Sequence, residues 1–520
     1  RRWLGWDTPT LPRVVEQLRV EYSEGDLWDM RRVMVVLPGG LARRRLGELL
    51  AVAAQKHELI LYPPQIVTVG TLPEHLYLAK FPFASDLVQQ LAWMKSLRDT
   101  PTAELAQIVP VPPGPTAIQQ WLELAKIFSG IHRELASDGL NFQQVLTAVG
   151  DSSESQRWHV LAGIQSRYLA TLDAQQLWDI QTARLCALEF REPVADKQIV
   201  VVGCVASNRT QRGFLEQIAS RVSIWIAAPE SAAQLFDEFG GLQSQPWADF
   251  ELDIPDESLL VGNSPTDQAD LTCGCLAELA DRYHARDVTL GVPDAALVSE
   301  LKLQLGQTGQ TARYGPGAPL AQSEPALLLS LLGEYIGTRS FAAMAALLRH
   351  PAMPAMFDAS GTPLPTDWLA RLDDYYQAAL PKQVDDFVNQ EPRVKPAAAV
   401  YATVKQAITQ WLEPLNTQSQ PVSQWVDPLL RVMTAAYAKQ MVDLDDPLEG
   451  PLYSAASQVC TAILSLRDIP PELEPSMTIS ELIDWLLRSI SGQLVPEPAR
   501  PAAIEMLGWL ALGLDDAPVL

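Results

Sequence analysis

The spacing with the most chemistry in it is Pro293-Asp294 followed by Glu300-Leu301-Lys302. Two carboxylates and a lysine in that order can hold a divalent metal at a phosphodiester and orient a water, provided Glu300 and Lys302 share one strand face. Ala295 to Leu305 reads as a helix, on which that spacing turns the two side chains about 200° apart, so a solvated helix face outweighs a metal site. A nucleoside triphosphatase needs a Gly-x-x-x-x-Gly-Lys-Ser/Thr loop and an acidic pair for magnesium and water. The N-terminal candidate loop, Leu4-Gly5-Trp6-Asp7-Thr8-Pro9, lacks the second glycine and the lysine, and the strand Ile199-Val-Val-Val202 is followed by Gly203-Cys204 where the acids would stand. Cys273 and Cys275 sit in a helix-like stretch with no second Cys or His pair to complete a tetrahedral site, and read as a packed thiol pair. His57, His75, His132, His159, His284 and His350 form no metal-ligand spacing and read as packing or surface residues. No Gly-x-Ser-x-Gly elbow occurs, so an α/β-hydrolase lacks its nucleophile signature.

The elements that must position any site follow from the apolar pattern. Val33-Met-Val-Val-Leu-Pro38 is a buried strand ending in Pro38-Gly39-Gly40, followed by an amphipathic helix, Leu41 to Leu50. Ile66-Val-Thr-Val69 is a second short strand. From about 85 to 190 the spacing is helical, with Trp93, Trp121, Phe128, Trp158, Tyr168 and Trp178 among Leu and Ala, broken once by Pro110-Val-Pro-Pro-Gly-Pro115. Strands return at Gln198–Gly203, Val222–Ala227 and Val288–Pro293, and helices again after about 325. Strands separated by helical stretches predict an α/β chain with a mainly parallel sheet covered on both faces, each α/β unit interrupted by a helical block.

Composition narrows the function classes. A chain of 520 residues with 48% apolar and 19% charged residues is folded, not disordered, and large enough for about three or four packed units. Its net charge of −23 excludes a surface that binds phosphate everywhere. Residues 1–56 carry ten Lys or Arg against seven Asp or Glu, including Arg31-Arg32 and Arg43-Arg44-Arg45, whereas residues 231–300 carry two against fourteen. That asymmetry allows one basic groove on an otherwise repelling body, and weighs evenly against a solvated helix face. Five scattered cysteines are too few for a disulfide scaffold, no apolar run nears the roughly 20 residues that span a bilayer, and Arg1-Arg2-Trp3 opens no signal peptide. A soluble cytoplasmic protein with no membrane partner is expected. A start at Arg1, and an end at Ala517-Pro-Val-Leu520 that reads as the opening of a buried strand, suggest an excised piece of a longer chain.

Val33 to Leu50 followed by Pro64-Gln-Ile-Val-Thr-Val-Gly-Thr-Leu72 resembles the opening of the AddB subunits of bacterial AddAB helicase-nucleases. Ile199 to Leu215 is similar to that family's helicase motif II strand. Asp287-Val-Thr-Leu-Gly-Val-Pro-Asp294, Gly315-Pro-Gly-Ala-Pro-Leu-Ala321 and Leu347-Leu-Arg-His-Pro351 resemble the start of its second RecA-like domain, and Ile504-Glu-Met-Leu-Gly-Trp-Leu510 the return to it. The resemblance implies two degenerate RecA-like, P-loop NTPase-like parallel-sheet domains, each with a helical insertion. The first is formed by 1–85 and 196–260 around an insertion at 86–195. The second begins with 261–335, is interrupted at 336–500 and resumes at 501–520. It further implies a DNA double-strand-break repair subunit of the PD-(D/E)XK nuclease superfamily, which guides single-stranded or double-stranded DNA and docks an AddA-like helicase subunit. The family's Asp, Glu-x-Lys and iron–sulfur cysteines would fall beyond Leu520, so no catalytic, cofactor-binding or metal residue is assigned within the chain and no cofactor is expected in it; magnesium and the cluster belong to that later domain. Bases would stack on exposed aromatics beside a basic channel, with Trp28 and the N-terminal arginines as members. Two other readings stand beside this one, an α/β small-molecule enzyme and a helical protein-interaction scaffold.

Overall fold

The run Val33–Leu37 is buried at all five positions, which a strand permits only inside a sheet covered on both faces. The computed structural model describes residues 1–386, 394–415, 418–437, 443, 446, 449–500 and 502–520; the remainder of the expected 336–500 insertion and position 501 lie outside the described residues. In chain order, the first half contains β1 (Arg2–Trp3), α1 (Thr10–Tyr22), β2 (Val33–Leu37), α2 (Gly40–Lys56) and β3 (Gln65–Thr68). The helices α3 (Asp86–Arg98), α4 (Ile118–Ser137), α5 (Phe142–Val149), α6 (Ser155–Ala174) and α7 (Ile180–Glu189) follow, with the proline-rich segment between α3 and α4. The chain then returns through β4 (Gln198–Val202), α8 (Arg209–Gln217) and β5 (Val222–Ile226). These strands form one sheet in the order β1-β5-β4-β2-β3, every pair parallel, with Val35 opposite both Ile66 and Val200.

The two-residue period of the strands divides this sheet cleanly. Met34, Val36, Ile199 and Val201 meet Phe214 and Leu215 of α8 on one face. Val33, Val35, Leu37, Val200 and Val202 meet Leu11, Val14, Leu46 and Leu50 of α1 and α2 on the other.

The second sheet is smaller. After α9 (Pro265–Leu279), β6 (Thr289–Gly291), α10 (Leu297–Gln307) and β7 (Ala312–Tyr314), a long helical stretch begins with α11 (Glu324–Thr338) and ends with α12 (Ile479–Ile490). Then β8 (Ile504–Leu507) enters between the earlier two strands, giving the parallel order β7-β8-β6, with Glu505 opposite both Arg313 and Thr289. A short helix, α13 (Trp509–Leu512), leads to the last residues. Ala517–Leu520 makes a single parallel bridge, Val519 to Val288, and Leu520 is exposed, so the buried strand expected there is reduced to one contact.

The two helical stretches, far apart in sequence, share one apolar core. Trp485 on α12 is buried and its indole N–H donates to Gln90 Oε1 on α3 at 3.0 Å; Gln119 donates to the Glu481 carbonyl at 2.9 Å, and Arg488 pairs with Glu123 at 2.7 Å. Within the first stretch, Trp93 stacks on Tyr168 at 4.1 Å beside a buried polar group centred on Asp179. No described helix is long and apolar enough to cross a membrane.

Candidate ligand cleft at the strand ends

Parallel strands all end at one sheet edge, so the loops after β1, β2, β4 and β5 gather there, where open α/β sheets hold ligands. A cavity of about 560 Å³ opens at that edge of the first sheet, lined by the loop Gly5–Thr10, by Pro38, by Gly203–Val205, by Ile224–Ala227 and by the hairpin around Phe236–Leu242. Its remaining wall is the strip Trp509–Asp515 that follows β8 of the second sheet.

The loop after β1 is a strand-to-helix turn in the place of a phosphate cradle, but part of its donor set is spent or missing. Leu4 N–H donates to the Ile226 carbonyl and Gly5 N–H to the Ala228 carbonyl, both at 2.9 Å. Pro9 and Pro12, flanking the first turn of α1, have no N–H to offer. Asp7 accepts from Arg13 at 2.9 Å, which holds its carboxyl below the usual range. Neither Lys nor Arg lines the cavity, whereas Asp7 and Asp515 do.

The turn after β4 is filled from across the cleft. Gly203 adopts φ +59°, and a Cβ there would stand 2.9 Å from Leu514 Cδ2. A second contact of the same kind sits at the end of β6, where a Cβ on Gly291 would stand 2.8 Å from Leu512 Cδ1. One short segment is therefore wedged between the two sheets, with Leu514 on the first and Leu512 on the second. Arg45 of α2 anchors it by donating twice to Asp516, both at 2.8 Å. Beside Gly203, burial pushes the Cys204 thiol up to about 12, so it is a packing group and not a nucleophile. Replacing Gly203 with Ala, which forces a Cβ into the left-handed region and against Leu514, is expected to cost about 1–3 kcal/mol; the urea midpoint followed by tryptophan fluorescence measures it.

The residues singled out by spacing do not converge. Asp294 accepts from Ala296 N–H at 2.9 Å, Glu300 accepts from Thr266 Oγ1 at 3.0 Å, and Lys302, on α10, pairs with Glu497. Among the described residues, no group of three or more His, Cys, Asp or Glu is placed to hold a metal ion. Cys273 and Cys275 are not a packed pair: two residues apart on α9 they point to different faces, Cys273 half-buried and Cys275 exposed. His132 and His350 are buried with hydrogen-bond partners, the latter against the Glu324 carbonyl at 2.9 Å.

Trp28 cannot stack on a base. It is 0% exposed and its indole N–H donates to the Leu18 carbonyl at 3.2 Å, because α1 covers it. The exposed aromatic near it is Tyr62, with the Arg31 guanidinium 4.4 Å above its ring. Of the arginines, Arg31 is held by Asp29 and Arg45 by Asp516 and Glu48, while Arg32, Arg43 and Arg44 are exposed and have no ion-pair partner among the described residues. Arg43 and Arg44 stand near the start of α2, hence at the ligand edge of the first sheet. The wedge residues Leu512 and Leu514 were not legible as site residues, since isolated leucines after a strand carry no chemical signal. No family model matches the chain, and no curated protein matches it.

Proposed function

We propose that the chain is the helicase-like portion of an AddB-type subunit: two RecA-like units without ATP chemistry that guide a single DNA strand and dock an AddA-like motor, cutting being left to a domain beyond Leu520. The observation that carries this reading is the filled turn after β4. A motor places its magnesium-holding acids there, and this chain places Gly203 with Leu514 packed on it. The proline-flanked turn after β1, which has no lysine and whose neighbouring guanidinium, Arg13, is spent on Asp7, supports the same reading, as does a pair of parallel sheets each left for a long helical excursion. On the DNA side, Arg43 and Arg44 are cations at the sheet edge with no ion-pair partner among the described residues and would meet backbone phosphates, which fix position without reading sequence.

Anisotropy of a labelled oligothymidylate across salt tests it. Affinity is expected to fall steeply between about 50 and 200 mM salt, and the double variant Arg43→Glu, Arg44→Glu to flatten the slope of log affinity against log salt by about 2. Absence of single-strand binding at low salt, or magnesium-dependent ATP turnover by the purified chain, overturns the proposal. The aromatic cleft favours a second reading, a small-molecule enzyme, which predicts saturable turnover of a compound and an anisotropy indifferent to both arginines.

A further inference from the structure

We infer that the cleft at the strand ends of the first sheet is a binding site for an organic cation of the alkylammonium class. The site does not depend on the DNA reading. At about 560 Å³ the cavity is within the range of small-molecule sites. Its wall is aromatic and acidic: Trp6, Trp247, Trp509 and Phe239 line it together with Asp7 and Asp515, and no Lys, Arg or His does. Such a wall repels phosphates and carboxylates and attracts a positive charge with an apolar skin, which aromatic faces bind through their quadrupole.

The two acids differ. Asp7 is neutralised by Arg13 at 2.9 Å. Asp515 is half-buried, accepts only from Ala517 N–H at 3.2 Å, and has no ion-pair partner among the described residues, because Arg45 is turned to its neighbour Asp516. Asp515 thus stands where the aromatic cavity meets a second cleft lined by Arg44, Arg45, Arg286 and Arg313, with no ion pair to any of them, in a chain of net charge −23 that concentrates cations around it. The rings are held ready for a ligand. Trp6 is 53% exposed, yet its indole N–H is fixed to the Ala227 carbonyl at 2.7 Å; Trp247 is set edge-on to Phe236 at 5.9 Å; Trp509 is 64% exposed at the mouth.

Calorimetric titration of the full chain, without nucleic acid, tests the site with two probes: choline, and 3,3-dimethylbutan-1-ol, which replaces its charged nitrogen with carbon. Choline is expected to saturate and to bind at least about tenfold more tightly than the neutral isostere. Asp515→Asn is expected to weaken choline about tenfold and leave the isostere unchanged, while Trp509→Ala weakens both. Equal binding of the two probes reduces the cleft to an apolar slot and overturns the inference; so does failure of choline to saturate at millimolar concentration, or an Asp515→Asn variant that binds choline like the parent. The comparison of probes on the unaltered chain decides the matter even if a variant fails to fold.

Discussion

Replacing Asp179 with Ala is expected to destabilise the helical body by about 3–5 kcal/mol, the range for stripping one partner from a buried charged network. Asp179 is 0% exposed and caps α7 by accepting from Thr182 N–H at 2.7 Å; it also accepts from His132 Nε2 and from the Tyr168 hydroxyl, both at 2.9 Å. Gln165 orders the histidine. Its Oε1 accepts from Phe142 N–H at 3.1 Å, so its amide nitrogen must donate to His132 Nδ1 at 2.9 Å, leaving Nε2–H for Asp179. Removing the carboxylate strands three donors at once. Burial raises the Asp179 pKa, but the hydrogen bonds from His132 and Thr182 outweigh it, so the carboxyl is held below its usual 3.8. A lowered folded-state pKa gives stability that is complete above 3.8 and lost as the pH falls through the folded value. The gap between parent and Asp179→Ala is therefore constant near neutrality and narrows in acid below 3.8, which urea midpoints measured across pH will show. A gap that does not narrow means that the carboxylate charge contributes nothing.

Trp485→Ala is expected to cost about 3–5 kcal/mol and, more specifically, to uncouple the two helical stretches. The indole is 2% exposed and bonded to Gln90, so its loss leaves a large cavity and an unpaired amide oxygen where α12 meets α3. Hydrogen exchange should rise together in α3 and in α12, elements nearly 400 positions apart. Exchange that rises in α12 alone would mean that the first stretch holds its fold without the second.

The strands were legible where four or five consecutive apolar residues left no polar face, as at Val33–Leu37 and within Gln198–Val202. The edge strand Arg2–Trp3 was not, because two residues show no period, and its place beside β5 is fixed by contacts more than 220 positions away. Fusion of the helical stretches was equally hidden, since an apolar helix face looks the same whichever partner covers it. Trp28, flanked by Asp26 and Asp29, reads as exposed by its neighbours, yet the alternation of the strand that carries it turns the indole inward under α1. At the cleft, the missing lysine and acids were plain in the sequence. The wall contributed by Trp509–Asp515 was not, because nothing local to Gly203 announces a leucine arriving from some 300 positions downstream.

The two glycine steps under Leu512 and Leu514 have a mechanical meaning. An engine of two lobes works by letting the gap between them widen and narrow with each round of fuel. Here the chain itself supplies a spacer, the short backbone from Leu512 to Leu514, seated on Gly291 and Gly203 and pinned by Arg45. Opening the gap would therefore require both leucines to leave their glycines and Arg45 to release Asp516.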